Sequence, residues 1–313
     1  MEKRLIVSSS PHIRSNITTW GIMLDVIIAL IPATGAAVWF FGLRAAALIA
    51  ITVISSVFFE YIMRKILKRS NTIGDLSAVV TGLLLALNLP PTLPVWMAIV
   101  GASFAIVVVK QLFGGIGQNF VNPALAARAM LIVSYGSRMT SWSEPLSDIV
   151  SSATPLEILK NGGEMPGLLD MLLGKIGGSL GEVSAIALLI GGAYLFIRQV
   201  ISWHIPVVFC GTVFILAFVL NPDGFDILYP LYHILSGGLL IGAIFMATDY
   251  TTSPMTRKGQ IIYAVGCGLL TVVFRLYTNM PEGVSYAILL MNVAVPLIDR
   301  YTKPKVYGGG TNV

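Results

Sequence analysis

Apolar residues along this chain come in long blocks divided by short polar joints, not in alternation or as one stripe of a helix. The blocks at 19–41, 45–63, 93–113, 183–201, 203–220, 229–247 and 261–277 approach the ~20 residues that a helix needs to cross a bilayer core. Backbone groups in lipid must be bonded within their own segment, so such blocks fold as helices. Three shorter apolar runs, at 76–89, 120–135 and 283–298, complete the pattern. It predicts an all-α polytopic membrane protein with about ten transmembrane helices.

The joints orient those helices. With the N-terminus in the cytoplasm and strict alternation, 14 of the 20 Lys and Arg residues fall inside, as the positive-inside rule requires. Acidic residues such as Asp148, Glu157, Asp170 and Glu282 fall outside. Both termini are then cytoplasmic. The long polar stretch 136–181 faces the other side and separates a first unit, 1–135, from a second, 182–313. The units look alike: TGLLLALNLPP in the first parallels GGLLIGAIFMATD in the second, each followed by an apolar run, a polar loop and a short apolar run. Five crossings per unit make the second copy enter the membrane inverted, an arrangement many transport folds use to build a site near the midplane.

Composition narrows the class. The chain is 56% hydrophobic and only 11% charged, against about 25% charged in soluble domains, and its mean hydropathy is +0.83. A soluble domain, a disordered chain and a coiled coil are excluded. The net charge of +5 follows from basic cytoplasmic loops and points to no nucleic acid. Cys210 and Cys267 stand singly in apolar runs and read as packing residues. The apolar stretch near the N-terminus is too short for a signal peptide, so the first long run is expected in the mature protein.

Three places could carry chemistry. The loop GGIGQNFVNP, residues 114–123, has glycines that permit close backbone approach and a proline suited to a first helical turn. It reads equally as a cofactor lining or as a tight packing turn; it is neither a Walker A loop nor a Rossmann fingerprint. The outer loop holds SSATPLE, residues 151–157, which reads locally as a helix start, with Thr154 as cap, Pro155 at the first position and Glu157 three on. Ionisable residues within apolar spans are functional candidates by default. Asp25 in the first span is an ion-coupling candidate that would face a polar cavity or a neighbouring chain. Glu60, Lys110 and His233 are expected to be interfacial or to snorkel. Asp249 sits in a polar turn matching 88–91 of the first unit.

Taken together, GLLLALNLPP, GGIGQNFVNPALAARAML, SSATPL, FMATDYTTSP and PEGVSYAILLMN, in this order and spacing, resemble a known family. It contains the D component of the Rnf ferredoxin:NAD oxidoreductase complex and the B component of the sodium-translocating NADH:quinone reductase. The resemblance covers nearly the whole chain. It implies a membrane component of a redox-driven Na+ or H+ translocase in a prokaryotic inner membrane, with the NAD and ferredoxin sites on other subunits. It also implies FMN joined through its phosphate to a threonine by a dedicated flavin transferase. The family motif Ser/Thr-Gly-Ala-Thr falls on Ser151, Ser152, Ala153 and Thr154, with Ser152 in place of the usual glycine. A non-covalent riboflavin is a further implication, with Asn119 and Asn122 as lining. No side chain here carries electrons at useful potentials, so a borrowed cofactor accords with physical expectation. The rival reading is a channel or secondary transporter with inverted repeats and no redox role.

Overall fold

The computed structural model describes residues 17–142, 145, 153–161, 163, 165–222, 224, 226–278 and 283–303. All regular structure among them is helical. In chain order, α1 spans Thr19–Ile66, a short 3-10 turn covers Ile73–Asp75, α2 is Ser77–Leu87, and α3 is Val95–Ser103, running on as a π-helix through Phe104–Gln111. The helix α4 is Pro123–Met139, and the outer stretch folds α5 (Pro155–Asn161) and α6 (Leu168–Leu173). Then come α7 (Ala185–Ile197), α8 (His204–Val219), α9 (Leu228–Leu235) and α10 (Leu239–Ile241), which continues as a π turn at Gly242–Met246. Finally α11 is Arg257–Tyr277 and α12 is Val284–Thr302.

The 48 residues of α1 would make a rod of about 72 Å at 1.5 Å per residue, more than twice a hydrocarbon core. Gly42, at φ 69° and ψ −158°, interrupts it. The break falls in the joint between the blocks at 19–41 and 45–63, so the chain kinks where the sequence divides them. Among the described residues, three helices are long and apolar enough to cross a membrane: α1, α11 and α12. The α9–α10 pair makes a fourth if its 64° bend belongs to one broken span. The remaining apolar helices, 77–87, 95–111, 185–197 and 204–219, are shorter. The block at 229–247 is thus a bent pair, because Gly237 and Gly238 both adopt positive φ.

Both halves contribute to one buried core, which runs from Ala29 and Leu30 of α1 through Leu85 and Leu87 of α2 to Phe209, Ile244 and Ile288. Close contact needs small residues, as is usual for helices in membranes. At Gly191 of α7 a Cβ would stand 2.1 Å from the Ala29 carbonyl oxygen. Backbone bonds tie the end of the stretch 136–181 to the first unit: Leu180 N–H donates to Leu89 O at 3.1 Å and Gly181 N–H to Leu87 O at 2.6 Å.

Candidate functional site

A cavity of about 410 Å³ lies where the two halves meet. Its apolar wall comes from α1, with Met23 and Val26, and from α2, with Val80 and Leu84. Its polar groups include Lys110 from the π segment of α3, Asn119 and Asn122 from the glycine-rich loop, and the turn Thr248–Thr251. Volume and lining match an ordinary small-molecule site, mostly apolar with a few convergent polar groups.

Each polar group is held. Asn122 caps α4, its Oδ1 accepting from the N–H groups of Ala124 (3.0 Å) and Leu125 (3.3 Å), with Pro123 following at the first helical position. Its Nδ2 donates across the interface to Met246 O at 3.4 Å. Asn119 Nδ2 donates to Thr251 Oγ1 at 3.0 Å and to Val121 O at 3.1 Å. Asp249 in turn accepts from the Thr251 hydroxyl (3.0 Å) and the Thr252 hydroxyl (3.3 Å). Burial pushes the Asp249 carboxyl up from the usual carboxylate range, while the Thr251 and Thr252 hydrogen bonds pull it down. The Tyr250 hydroxyl donates to Val200 O. Both residues also line a second hollow, shared with Gln199 and Trp203, so this bond is common to the two spaces.

Lys110 corrects the sequence reading. It does not snorkel: its ammonium, 3% exposed, donates to Glu60 Oε2 at 2.7 Å and to Ser77 Oγ at 2.6 Å. Glu60, 0% exposed, also accepts from Thr72 Oγ1 at 2.7 Å. Two span-end charges expected at the interface are instead a buried pair beside the cavity, because each supplies the other's counter-charge. His233 is likewise buried, with its carbonyl oxygen accepting from Arg275. Sequence reasoning also passed over Arg128, buried in α4, which donates to Asn88 Oδ1 and to Ser285 Oγ, both at 3.0 Å.

Thr154 lies away from the cavity, and no residue of α5 lines it. The expected helix start is present as a capping box: Glu157 N–H donates to Thr154 Oγ1 at 3.3 Å, and Thr154 N–H donates to Glu157 Oε2 at 3.1 Å. Thr154 is 5% exposed, beside an exposed Ala153. Ser151 and Ser152 lie outside the described residues. Asp25 lies outside the cavity lining as well. Its carboxylate accepts from Tyr194 Oη at 2.8 Å and from Arg198 Nε at 3.2 Å and Nη2 at 3.3 Å, joining α1 to the end of α7.

The residues fit the two flavins that the motifs imply. The Thr154 oxygen accepts one N–H, and its proton has no acceptor among the described residues, so esterification would displace no hydrogen bond donated by the hydroxyl. The helix N-terminus beyond it favours a negative phosphate. The cavity offers one uncommitted N–H of Lys110 and the acceptors Asn119 Oδ1 and Asp249 among apolar side chains, which suits a heterocycle with a polar edge.

Long apolar helices, a bent helix pair and buried charges beside a cavity define an all-helical polytopic membrane protein. Residues 6–308 match the NQR2, RnfD, RnfE family, and the chain belongs to it. It is 55% identical to the D component of the Na+-translocating ferredoxin:NAD+ oxidoreductase complex of Acetobacterium woodii, over 98% of this chain and 96% of that one. It is 45% identical to the D component of the proton-translocating ferredoxin:NAD+ oxidoreductase complex of Clostridium ljungdahlii, over 96% of both chains. The D component of an ion-translocating oxidoreductase complex of Escherichia coli is 34% identical, over 96% and 98%.

Proposed function

We propose that this chain is the membrane component of a multi-subunit, ion-translocating ferredoxin:NAD oxidoreductase complex of the Rnf type, and that it relays electrons through FMN esterified to Thr154. The observation that carries the flavin reading is the Thr154 hydroxyl, presented at the start of α5 with its proton uncommitted. A bound flavin supplies the one- and two-electron chemistry that no side chain of the chain offers. The protein's part would be to hold it, with Glu157 N–H bonded to the ester oxygen at the start of α5. Because Thr154 is nearly enclosed, the flavin transferase acts before α5 settles against its neighbours.

The cavity is the second cofactor site in this reading, taking a non-covalent riboflavin. Lys110, held by Glu60 and Ser77, would donate its remaining N–H to the ring's polar edge. Asn119, whose amide N–H groups go to Thr251 and Val121, would offer Oδ1 as an acceptor, and Met23, Val26 and Val80 would line the ring's face. The short apolar helices cross as tilted or re-entrant members of ten spans in two inverted five-helix units, with both termini in the cytoplasm. Asp25 is the coupling carboxylate.

The experiment is a denaturing gel viewed under ultraviolet light, with mass spectrometry of the peptide Ser151–Lys160 from chain co-expressed with the transferase. Wild type is expected to give a fluorescent band and an FMN-sized adduct, and Thr154→Ala to give neither while still inserting and assembling. An adduct that persists in Thr154→Ala overturns the assignment. A dark wild-type band favours the channel or transporter alternative, which the broken α9–α10 pair would suit.

A further inference from the structure

The second hollow, of about 540 Å³, abuts the cavity: Val200, Ile201, Thr248 and Tyr250 line both spaces. It is open to the outside, since Gln199, Trp203 (58% exposed) and Tyr250 (56% exposed) in its lining all reach the surface. The cavity alone, at about 410 Å³, is near the small end of ligand sites, which run from about 300 to 1,000 Å³. Such a space suits a flavin's ring. The polyol chain that the ring carries needs room of its own.

The chemistry of the hollow is polar but uncharged. No Lys, Arg, His, Asp or Glu stands in its lining; Gln199, Ser202, Ser253 and Gln260 do. Ser202 Oγ donates to Gln260 Oε1 at 2.9 Å and Gln260 Nε2 to Pro254 O at 3.3 Å, which leaves Gln260 a second N–H and Ser202 an oxygen that can accept. The Gln199 amide and the Ser253 hydroxyl have no hydrogen-bond partner among the described residues. Gln199 also holds a backbone conformation that side chains rarely adopt, with φ at 55°. It follows the end cap of α7, where Gln199 N–H donates to Phe196 O and Val200 N–H to Leu195 O, both at 3.0 Å. Glycine is the usual residue in this type of helix end. A glutamine kept there at the cost of strain points to a use for its amide.

Resting on the second-cofactor reading above, we propose that the hollow is the subsite for the uncharged polyol tail of the flavin whose ring the cavity takes. Each hydroxyl of such a tail both donates and accepts. Gln199 Nε2 and the spare N–H of Gln260 supply donors, and Ser202 Oγ and Ser253 Oγ supply acceptors. Phe196 and Ile205, also in the lining, meet the carbon chain. A phosphate on the end of the tail is poorly served. It carries about −1.5 to −2 charges, and the lining sets no cation against it. Helix α8 starts beside the hollow without a side-chain cap, but one helix start amounts to only about half a positive charge. The hollow therefore selects the unphosphorylated tail.

The test uses the full chain in detergent, freed of non-covalent flavin and dialysed to equilibrium against one of three probes. These are riboflavin, FMN, and lumiflavin, which has the same ring with a methyl group in place of the tail. Bound flavin is identified and counted by mass spectrometry. Wild type is expected to bind riboflavin about tenfold or more tighter than lumiflavin, as a few tail hydrogen bonds would give, and tighter than FMN. Gln199→Gly removes the amide and relaxes the backbone, so it is expected to fold with a thermal midpoint close to that of wild type. It should weaken riboflavin about threefold to tenfold, the scale of one hydrogen bond, and leave lumiflavin unchanged. Ser253→Ala is expected to follow the same pattern. Equal binding of riboflavin and lumiflavin by wild type overturns the subsite and leaves the ring site standing. So do variants that keep wild-type riboflavin binding, or that weaken both flavins alike. FMN bound as tightly as riboflavin also overturns it, because a phosphate has no counter-charge in this hollow. If wild type binds neither riboflavin nor lumiflavin, the second-cofactor reading itself falls, and the subsite with it.

Discussion

Single residues in this protein matter mainly through whether a buried charge has company. Removing one partner of a buried ion pair costs about 3–5 kcal/mol, whereas replacing both costs far less. Glu60→Gln or Lys110→Met alone should therefore sharply lower the yield of folded protein in detergent, and the double variant should recover much of it. Because Lys110 also lines the cavity, that recovered variant should bind no riboflavin if the proposed second cofactor site is there. A double variant that retains the flavin removes Lys110 from the cofactor site. Asp25 differs, because its partner Arg198 is 57% exposed and water screens the pair. Asp25→Asn should therefore leave folding, assembly and covalent flavin intact. If Asp25 is the coupling carboxylate, electron flux will continue while ion uptake into membrane vesicles falls; an unchanged ratio of uptake to flux ends that reading.

Among the elements, the sequence revealed starts far better than ends or partners. Asn122-Pro123 and Thr154-Pro155 each carry cap and first-turn chemistry within a few adjacent residues, and both helices begin there. The same holds for membrane segments, where hydropathy over ~20 residues is a local property. Length failed where the bend was hidden: 229–247 reads as one run because Ser236, Gly237 and Gly238 are too few to interrupt its hydropathy, yet two positive-φ glycines turn the chain there. The π segments at Phe104–Gln111 and Gly242–Met246 left no trace in the pattern, and a wide turn at this depth often accompanies function. In the first of them, residue Lys110 meets a glutamate 50 positions earlier in the chain. No periodicity encodes such a pairing, so Glu60 and Lys110 read as two unrelated span-end charges. Asn119 and Asn122, by contrast, stand in a polar loop that the sequence singles out locally, and both line the cavity.

For the whole molecule, orientation is the property most exposed to test. Leu169 on α6 is 72% exposed and belongs to the stretch assigned to the outer face. A cysteine placed there should react with an impermeant maleimide in intact cells, and labelling only after lysis would invert the topology. The halves are bonded to each other through Asn119 to Thr251, Asn122 to Met246 and Arg128 to Ser285, and this has a consequence for how the protein is made. Arg128 and Ser285 are 157 residues apart, which at 5–20 residues per second is about 8–30 s of translation. Throughout that interval a nascent chain carries an arginine in an apolar helix without its α12 contact. A ribosome that stalls after the first unit therefore releases a membrane segment with unfinished polar bonds. Such a product is marked for removal by its own chemistry, and quality control needs no signal beyond the missing half.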